Sequence, residues 1–150
     1  MVDQKSLDVV YLKMADDLST LSHAKRRKVG CLIVRDTQII AEGYNGTPHG
    51  FDNECEYTDH VNELYTKPEV LHAESNAITK LARSTNSSKG ATMYVTCSPC
   101  FDCAKLLIQS GITRVVYTHM YTNKNCMEAI ALLTKAGISV TQNTSMKKNA

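Results

Sequence analysis

Two short stretches of this 150-residue chain hold residue types that can do chemistry together: His72-Ala73-Glu74, and Pro99-Cys100-Phe101-Asp102-Cys103. One neutral imidazole and two thiolates make a three-ligand zinc site that leaves the fourth tetrahedral position to water, whereas a closed structural site takes a fourth protein ligand. His72, Cys100 and Cys103 are therefore the expected metal ligands. Two thiolates cancel the charge of the ion, so the water needs a base beside it. Glu74, two residues from the imidazole, is the expected catalytic acid–base. Both motifs fall at expected helix starts, where free N–H groups and the positive end of the helix dipole favour thiolates. Pro99 suits such a start because it lacks an N–H that would find no partner there. The i, i+3 spacing of the two cysteines puts both sulfurs on one face.

Each residue has a plainer reading. A lone histidine at a helix start is often a cap or a packing residue, and a Cys-x-x-Cys can be a redox pair. A redox pair has no use for His-x-Glu upstream. A zinc ribbon wants a second cysteine pair, and Cys55 and Cys126 stand alone. Cys97 forms a Cys-x-x-Cys with Cys100 and is a rival ligand; at a strand end before Pro99 it reads as a buried or pocket-lining thiol. Of six cysteines, Cys97, Cys100 and Cys103 cluster, which points to metal or catalysis rather than disulfides.

The elements that must position these groups follow from periodicity. Apolar residues recur every three to four positions from Leu7 to Leu21, predicting an amphipathic helix. Val29–Val34 and Gln38–Tyr44 predict a hairpin turning at Asp36-Thr37. Gly43 to Gly50 is dense in Gly, Asn and Pro and reads as a loop. Asp52 to Pro68 reads as loop with some irregular helix. Further on come a helix from about Leu71 to Arg83, a strand over Ala91–Thr96 and a helix from Pro99 to about Ser110, stopped by Gly111. A strand at Val115–Tyr117, a helix over Asn125–Lys135 and a strand at Ile138–Thr141 complete the series. Residues 142–150 are expected to be a loosely held tail. The order α-β-β-α-β-α-β-α-β implies parallel pairing in the second half and helices on both faces of a sheet.

Composition narrows the class. At 150 residues, 43% hydrophobic and 21% charged, the chain suits one soluble domain spanning 1–150. No apolar run approaches the ~20 residues of a membrane span, and the N-terminus lacks a signal-peptide layout. A cytoplasmic protein without membrane partners is the expectation. With a net charge of +2 and no wide basic face, no nucleic-acid partner is expected. Lys147-Lys148 reads as a solvated tail. The single dense basic cluster, Lys25-Arg26-Arg27-Lys28, reads as a wet surface or a seat for a small phosphate.

The same residues carry a family resemblance. His-x-Glu followed by Pro-Cys-x-x-Cys is the pattern of zinc nucleobase deaminases. Together with Lys28-Val29-Gly30, Gly43-Tyr44-Asn45-Gly46-Thr47-Pro48-His49-Gly50, His72-Ala73-Glu74-Ser75-Asn76-Ala77-Ile78 and Ala91-Thr92-Met93-Tyr94-Val95-Thr96, it resembles the deoxycytidylate deaminases, bacteriophage members included, of the cytidine deaminase superfamily. The likeness runs from about Leu7 to Val140. It implies a three-layer α/β/α fold with a five-stranded mixed sheet, one catalytic Zn²⁺, and conversion of dCMP to dUMP for thymidylate synthesis. Glu74 would take a proton from the activated water, deliver it to N3 of cytosine and later protonate the departing amino group. Asn45 would bond the sugar, the base would lie over His72, and Ala73 backbone groups would read its edge. Phosphate or a regulatory nucleotide would meet either Arg26, Arg27 and Lys28 or Tyr117, Tyr121 and Lys124. The resemblance further implies a homo-oligomer, often a hexamer, activated by dCTP and inhibited by dTTP with Mg²⁺. Some relatives hold a second zinc; here Ala24 and Lys25 stand where a cysteine is expected, leaving Cys55, His60 and His23 as its candidate ligands.

Three other functions compete. A tRNA adenosine deaminase shares the zinc motifs but calls for a basic surface. A dCTP deaminase differs only in the phosphates accommodated. A zinc-containing nucleotide-sensing subunit would have no use for Glu74.

Overall fold

Asp3 starts the first helix, its carboxylate accepting the Ser6 N–H at 2.7 Å, which satisfies one of the free donors of a first turn. Helix α1 then runs Gln4–Ser19 and buries Tyr11, Leu12 and Ala15. The computed structural model describes residues 1–145; Lys147 and Lys148 lie outside the described residues. After α1 come β1 (Gly30–Arg35) and β2 (Gln38–Tyr44), joined at Asp36 and Thr37 with φ of 51° and 61°. Positive φ at both central residues is what a two-residue hairpin turn between twisted strands requires.

Next come β3 (Glu56–Thr58) and β4 (Leu64–Thr66), α2 (Ala73–Leu81), β5 (Thr92–Cys97), α3 (Phe101–Gln109), β6 (Arg114–His119), α4 (Lys124–Lys135) and β7 (Ser139–Gln142). Five strands form one sheet in the order β2-β1-β5-β6-β7. Strand β1 is antiparallel to β2 and β5, while β5, β6 and β7 are mutually parallel. Alternation along the strands sorts the core into two layers. Leu32, Val34, Tyr94 and Val116 pack on Tyr11, Leu12 and Ala15 of α1. Cys31, Ile33, Met93, Val95 and Val115 pack on α2, α3 and α4 through Ala77, Leu107 and Leu133. The three-layer α/β/α fold with a mixed five-stranded sheet is the one expected.

Three local expectations are corrected. The stretch 52–68 is not loop and irregular helix: β3 and β4 form a separate antiparallel hairpin with Tyr57 opposite Tyr65, their rings stacked at 5.6 Å. Strands of three residues are too short to show a period. Helix α2 begins at Ala73 rather than Leu71, because Leu71 exchanges backbone hydrogen bonds with Gly46 at 2.8 and 3.1 Å. Gln142 belongs to β7, paired with Tyr117, rather than to a loose tail.

Two close contacts fix the layers. A side chain at Gly43 would place its Cβ 2.4 Å from the Ala73 carbonyl oxygen and 2.8 Å from the Ala77 nitrogen, so glycine lets β2 run against the first turns of α2. On the opposite face, Asp8 of α1 is 6% exposed and meets Arg114 of β6 through both carboxylate oxygens, with Tyr94 donating at 2.6 Å. Burial alone would raise the Asp8 pKa. The hydrogen bonds from Arg114, Tyr94 and Gln4 outweigh it and hold the group down at about 2. Asp8→Asn is expected to cost about 2–3 kcal/mol at pH 7. A depressed carboxylate contributes stability that is present above its unfolded value near 4 and lost as pH falls through 2. Urea melts of both proteins should therefore differ at pH 7 and converge toward pH 2.

Candidate active site

His72 is the N-cap of α2, with extended backbone at φ −70° and ψ 156°. Cys100 is the N-cap of α3, its sulfur accepting the Cys103 N–H at 3.5 Å. Strand β5 delivers Cys97, Ser98 and Pro99 to that cap, so two helix N-termini meet beside the C-terminal end of β5. Nδ1 of His72 lies 3.4 Å from the sulfur of Cys100 and 3.4 Å from that of Cys103. The three donor atoms all lie within 4.8 Å of one another, the one such group of three among the described residues.

That geometry suits a tetrahedral ion. With bonds of about 2.3 Å to sulfur and 2.0–2.1 Å to nitrogen, the nitrogen and each sulfur should stand roughly 3.5 Å apart. The protons tell the same story. A hydrogen bond from Cys103, aided by His72, pulls the Cys100 thiol down to about 4, whereas the neighbouring sulfur and burial push Cys103 up. The imidazole is raised chiefly by its hydrogen bond to Cys100. Two thiols this close cannot both ionise without a cation between them, so the donor set fits zinc.

Glu74 occupies the first turn of α2 and is 5% exposed. Burial pushes its carboxyl up to about 7, against the lowering pull of its own backbone N–H and of His72. A carboxyl near neutrality can both take and give a proton at physiological pH. Among the described residues no buried side-chain nitrogen or oxygen lacks a hydrogen-bond partner.

A cavity of about 650 Å³ opens onto His72, Ala73, Glu74 and Cys100, within the range of small-molecule sites. Arg26, Arg27, Asn45, Tyr121 and Lys124 also line it. The Arg27 guanidinium lies 3.6 Å over the Tyr121 ring, a stacking that leaves its N–H edge free to grip an anion. The Tyr121 hydroxyl sits 3.0 Å from the Cys97 sulfur. Cys97 is thus a pocket-lining thiol, not a rival ligand. Asn45 spans two backbone segments, its Oδ1 accepting the Val29 N–H at 2.9 Å and its Nδ2 donating to the Arg27 carbonyl at 2.7 Å. The second Nδ2 hydrogen remains for a ligand.

Some expected residues are placed elsewhere. Tyr117 does not line the cavity: it shares the inward face of β6 with Val115, joins the core and directs its hydroxyl to the Met120 sulfur. Lys28 is exposed outside the cavity. Cys55, His60 and His23 form no metal-holding group among the described residues. Cys55 is buried, while His60 sits exposed at the turn between β3 and β4. His23 and Cys55 line one cavity, which His60 does not join.

Several residues of the site went unread. Asn125 accepts the Phe101 N–H at 2.9 Å, steadying the start of α3. Ser98 accepts the Tyr121 N–H at 2.9 Å and so sets the ring that Arg27 covers. Glu56 enters the cavity wall from β3. Ser98 adjoins Pro99 and so lies beside a local signal, whereas Glu56 sits on a hairpin that has no sequence period.

Comparison with known proteins agrees with this geometry. Residues 5–119 match the family described as the cytidine and deoxycytidylate deaminase zinc-binding region. The deoxycytidylate deaminase of Saccharomyces cerevisiae is 37% identical over 144 residues, covering 91% of this chain and 45% of the yeast protein, so the chain spans less than half the length of that relative. The deoxycytidylate deaminase of Enterobacteria phage T4 is 37% identical over 150 residues, covering 75% of this chain and 77% of the phage protein. The crystal structure of dCMP deaminase from the cyanophage S-TIM5 in complex with dCMP and dUMP superposes with a TM-score of 0.85 at 37% identity, covering 95% of this chain and all of that one.

Proposed function

This chain belongs to the cytidine and deoxycytidylate deaminase family, and from that premise we propose that it hydrolyses dCMP to dUMP with release of ammonia, supplying dUMP for thymidylate synthesis. The observation that carries the reading is the buried Glu74 carboxyl in one cavity with His72 and Cys100, whose donor atoms and the Cys103 sulfur all lie within 4.8 Å of one another. Zinc held by His72, Cys100 and Cys103 would supply the Lewis acidity that makes water a nucleophile near neutral pH. Everything else falls to the chain's own side chains.

Glu74 takes a proton from the attacking water and passes it to N3 of the cytosine, which makes C4 electrophilic. As the remaining hydroxide adds at C4, the same carboxylate takes the proton of the new C4 hydroxyl and delivers it to the amino group, so that the C4–N bond breaks, ammonia leaves and the C4 carbonyl forms. Burial serves this cycle, because a carboxyl at its ordinary pKa would hold no proton at pH 7 to hand on. Cytosine would lie over His72, with Ala73 backbone groups at its edge and the free Asn45 Nδ2 hydrogen on the sugar. Arg27, stacked on Tyr121, would take the phosphate, with Arg26 and Lys124 adding positive charge to the same wall.

The rivals separate in one assay. Ammonia release is measured with cytidine, deoxycytidine, dCMP, dCDP, dCTP and a tRNA anticodon stem. The account expects dCMP to have the highest kcat/KM; a preference for dCTP or tRNA would replace it, and no turnover with any of them would favour the nucleotide-sensing subunit. Regulation by dCTP and by dTTP with Mg²⁺, and assembly into a hexamer, belong to the same proposal. Repeating the assay with each nucleotide, and light scattering, decide them. No described helix is long and apolar enough to cross a membrane, and the cytoplasm remains the proposed location.

A further inference from the structure

The segment carrying Arg26 and Arg27 has no secondary structure of its own; it lies between α1 and β1. Its conformation is set by residues distant in sequence. At one end, Oε1 of Glu56 accepts two successive backbone N–H groups, from Lys25 at 2.7 Å and Arg26 at 3.2 Å. The Arg26 side chain is tied to Thr66 Oγ1 of β4 at 3.3 Å. At the other end, Asn45 grips the Arg27 carbonyl and the Val29 N–H. Arg27 is the residue held between these two clamps, and it is the one stacked on Tyr121 at the cavity wall.

A carboxylate lining a cavity that accepts an anion is electrostatically out of place. Were Glu56 only a nearby negative charge, it would weaken phosphate binding. Its double acceptance of backbone donors gives it another role. We propose that Glu56 is a positioning residue for the substrate phosphate: it holds the Lys25–Arg26 backbone so that Arg27 is presented to the nucleotide. The β3–β4 hairpin is then the brace that brings Glu56 and Thr66 to the basic segment. This inference rests on the reading of Arg27 as the phosphate contact.

The two possible roles predict opposite signs, which makes the test sharp. Steady-state kinetics with dCMP are measured on the zinc-loaded full chain for Glu56→Ala, Glu56→Asp, Glu56→Gln and Arg27→Ala, with zinc content and melting temperature recorded for each. Glu56→Ala should raise KM about tenfold, the scale of one lost hydrogen bond to a charged group, with kcat within about threefold and zinc unchanged. Glu56→Asp keeps the charge but withdraws the oxygen by one methylene, and should also raise KM. Glu56→Gln loses the charge but keeps an acceptor in the same place, and should stay close to wild type. Arg27→Ala should raise KM at least as much as Glu56→Ala. A lower or unchanged KM in Glu56→Ala, or a Gln variant as impaired as Ala, overturns the role of Glu56 while Arg27→Ala still reports on the phosphate. An unchanged KM in Arg27→Ala overturns the phosphate reading and this inference with it. If the alanine variant does not fold, the opposite expectations for the Asp and Gln variants still decide.

Discussion

Replacing Glu74 by alanine is expected to lower kcat for dCMP by about 10³–10⁴-fold, the upper range for a general acid–base group, while zinc stays at one per chain. The separation of the two effects follows from geometry. Glu74 is not among the three mutually close metal donors, so removing it leaves the nitrogen and both sulfurs where they are. What disappears is the proton path, since among the described residues the wall of the cavity offers no second buried carboxyl. Glu56, the other acid in that wall, is committed to the Lys25 and Arg26 N–H groups. Glu74→Gln, which keeps the shape, should be equally slow, and KM should move little in either variant. Metal analysis beside an ammonia assay checks both halves.

Cys103→Ala is expected to be more severe: zinc falls well below one per chain after dialysis, and deamination drops by at least about 10⁴-fold. Bulk water has a pKa near 15.7 against about 7 beside a Lewis-acid metal, and even half of that gain in acidity, expressed in the rate, is a factor of about 10⁴. Cys103 sits on the first turn of α3 and is 3% exposed, packed into the interior. The variant also loses the stabilisation that a ligand bound only to the folded state supplies, so its melting temperature should fall. Adding an excess of zinc should raise the rate only partly, because His72 and Cys100 alone leave the ion one donor short. Asp102→Ala, on the exposed side of the same turn and paired among the described residues with Lys105, is the control for damage to α3.

Much of this was legible in the sequence, for a physical reason. The metal donors lie at helix starts, and helix starts announce themselves locally: an extended cap, a proline, an apolar period beginning just after. The Asp36-Thr37 turn and the α/β alternation are also local signals. Tyr117, expected at the phosphate, follows strand alternation instead: two positions from Val115, it shares that residue's inward face. The β3–β4 hairpin was not. Its strands have three residues each, and stability comes from one tyrosine pair and from bonds to segments some thirty positions away. Glu56 was hidden for the same reason, because a carboxylate that accepts backbone N–H groups leaves no trace in the identity of Lys25 or Arg26. The candidates for a second metal carry no such local signal: His23 and Cys55 line a common cavity, while His60 sits in the β3–β4 turn outside it.

Zinc titration of the stripped protein, followed by ammonia release from dCMP, bears most directly on the central claim that His72, Cys100 and Cys103 hold the ion Glu74 works beside. The account predicts no turnover without metal and a rate that rises in proportion to zinc and levels off at one per chain. Full turnover by metal-free protein, or a rate that continues to climb to two zinc ions per chain, would contradict it.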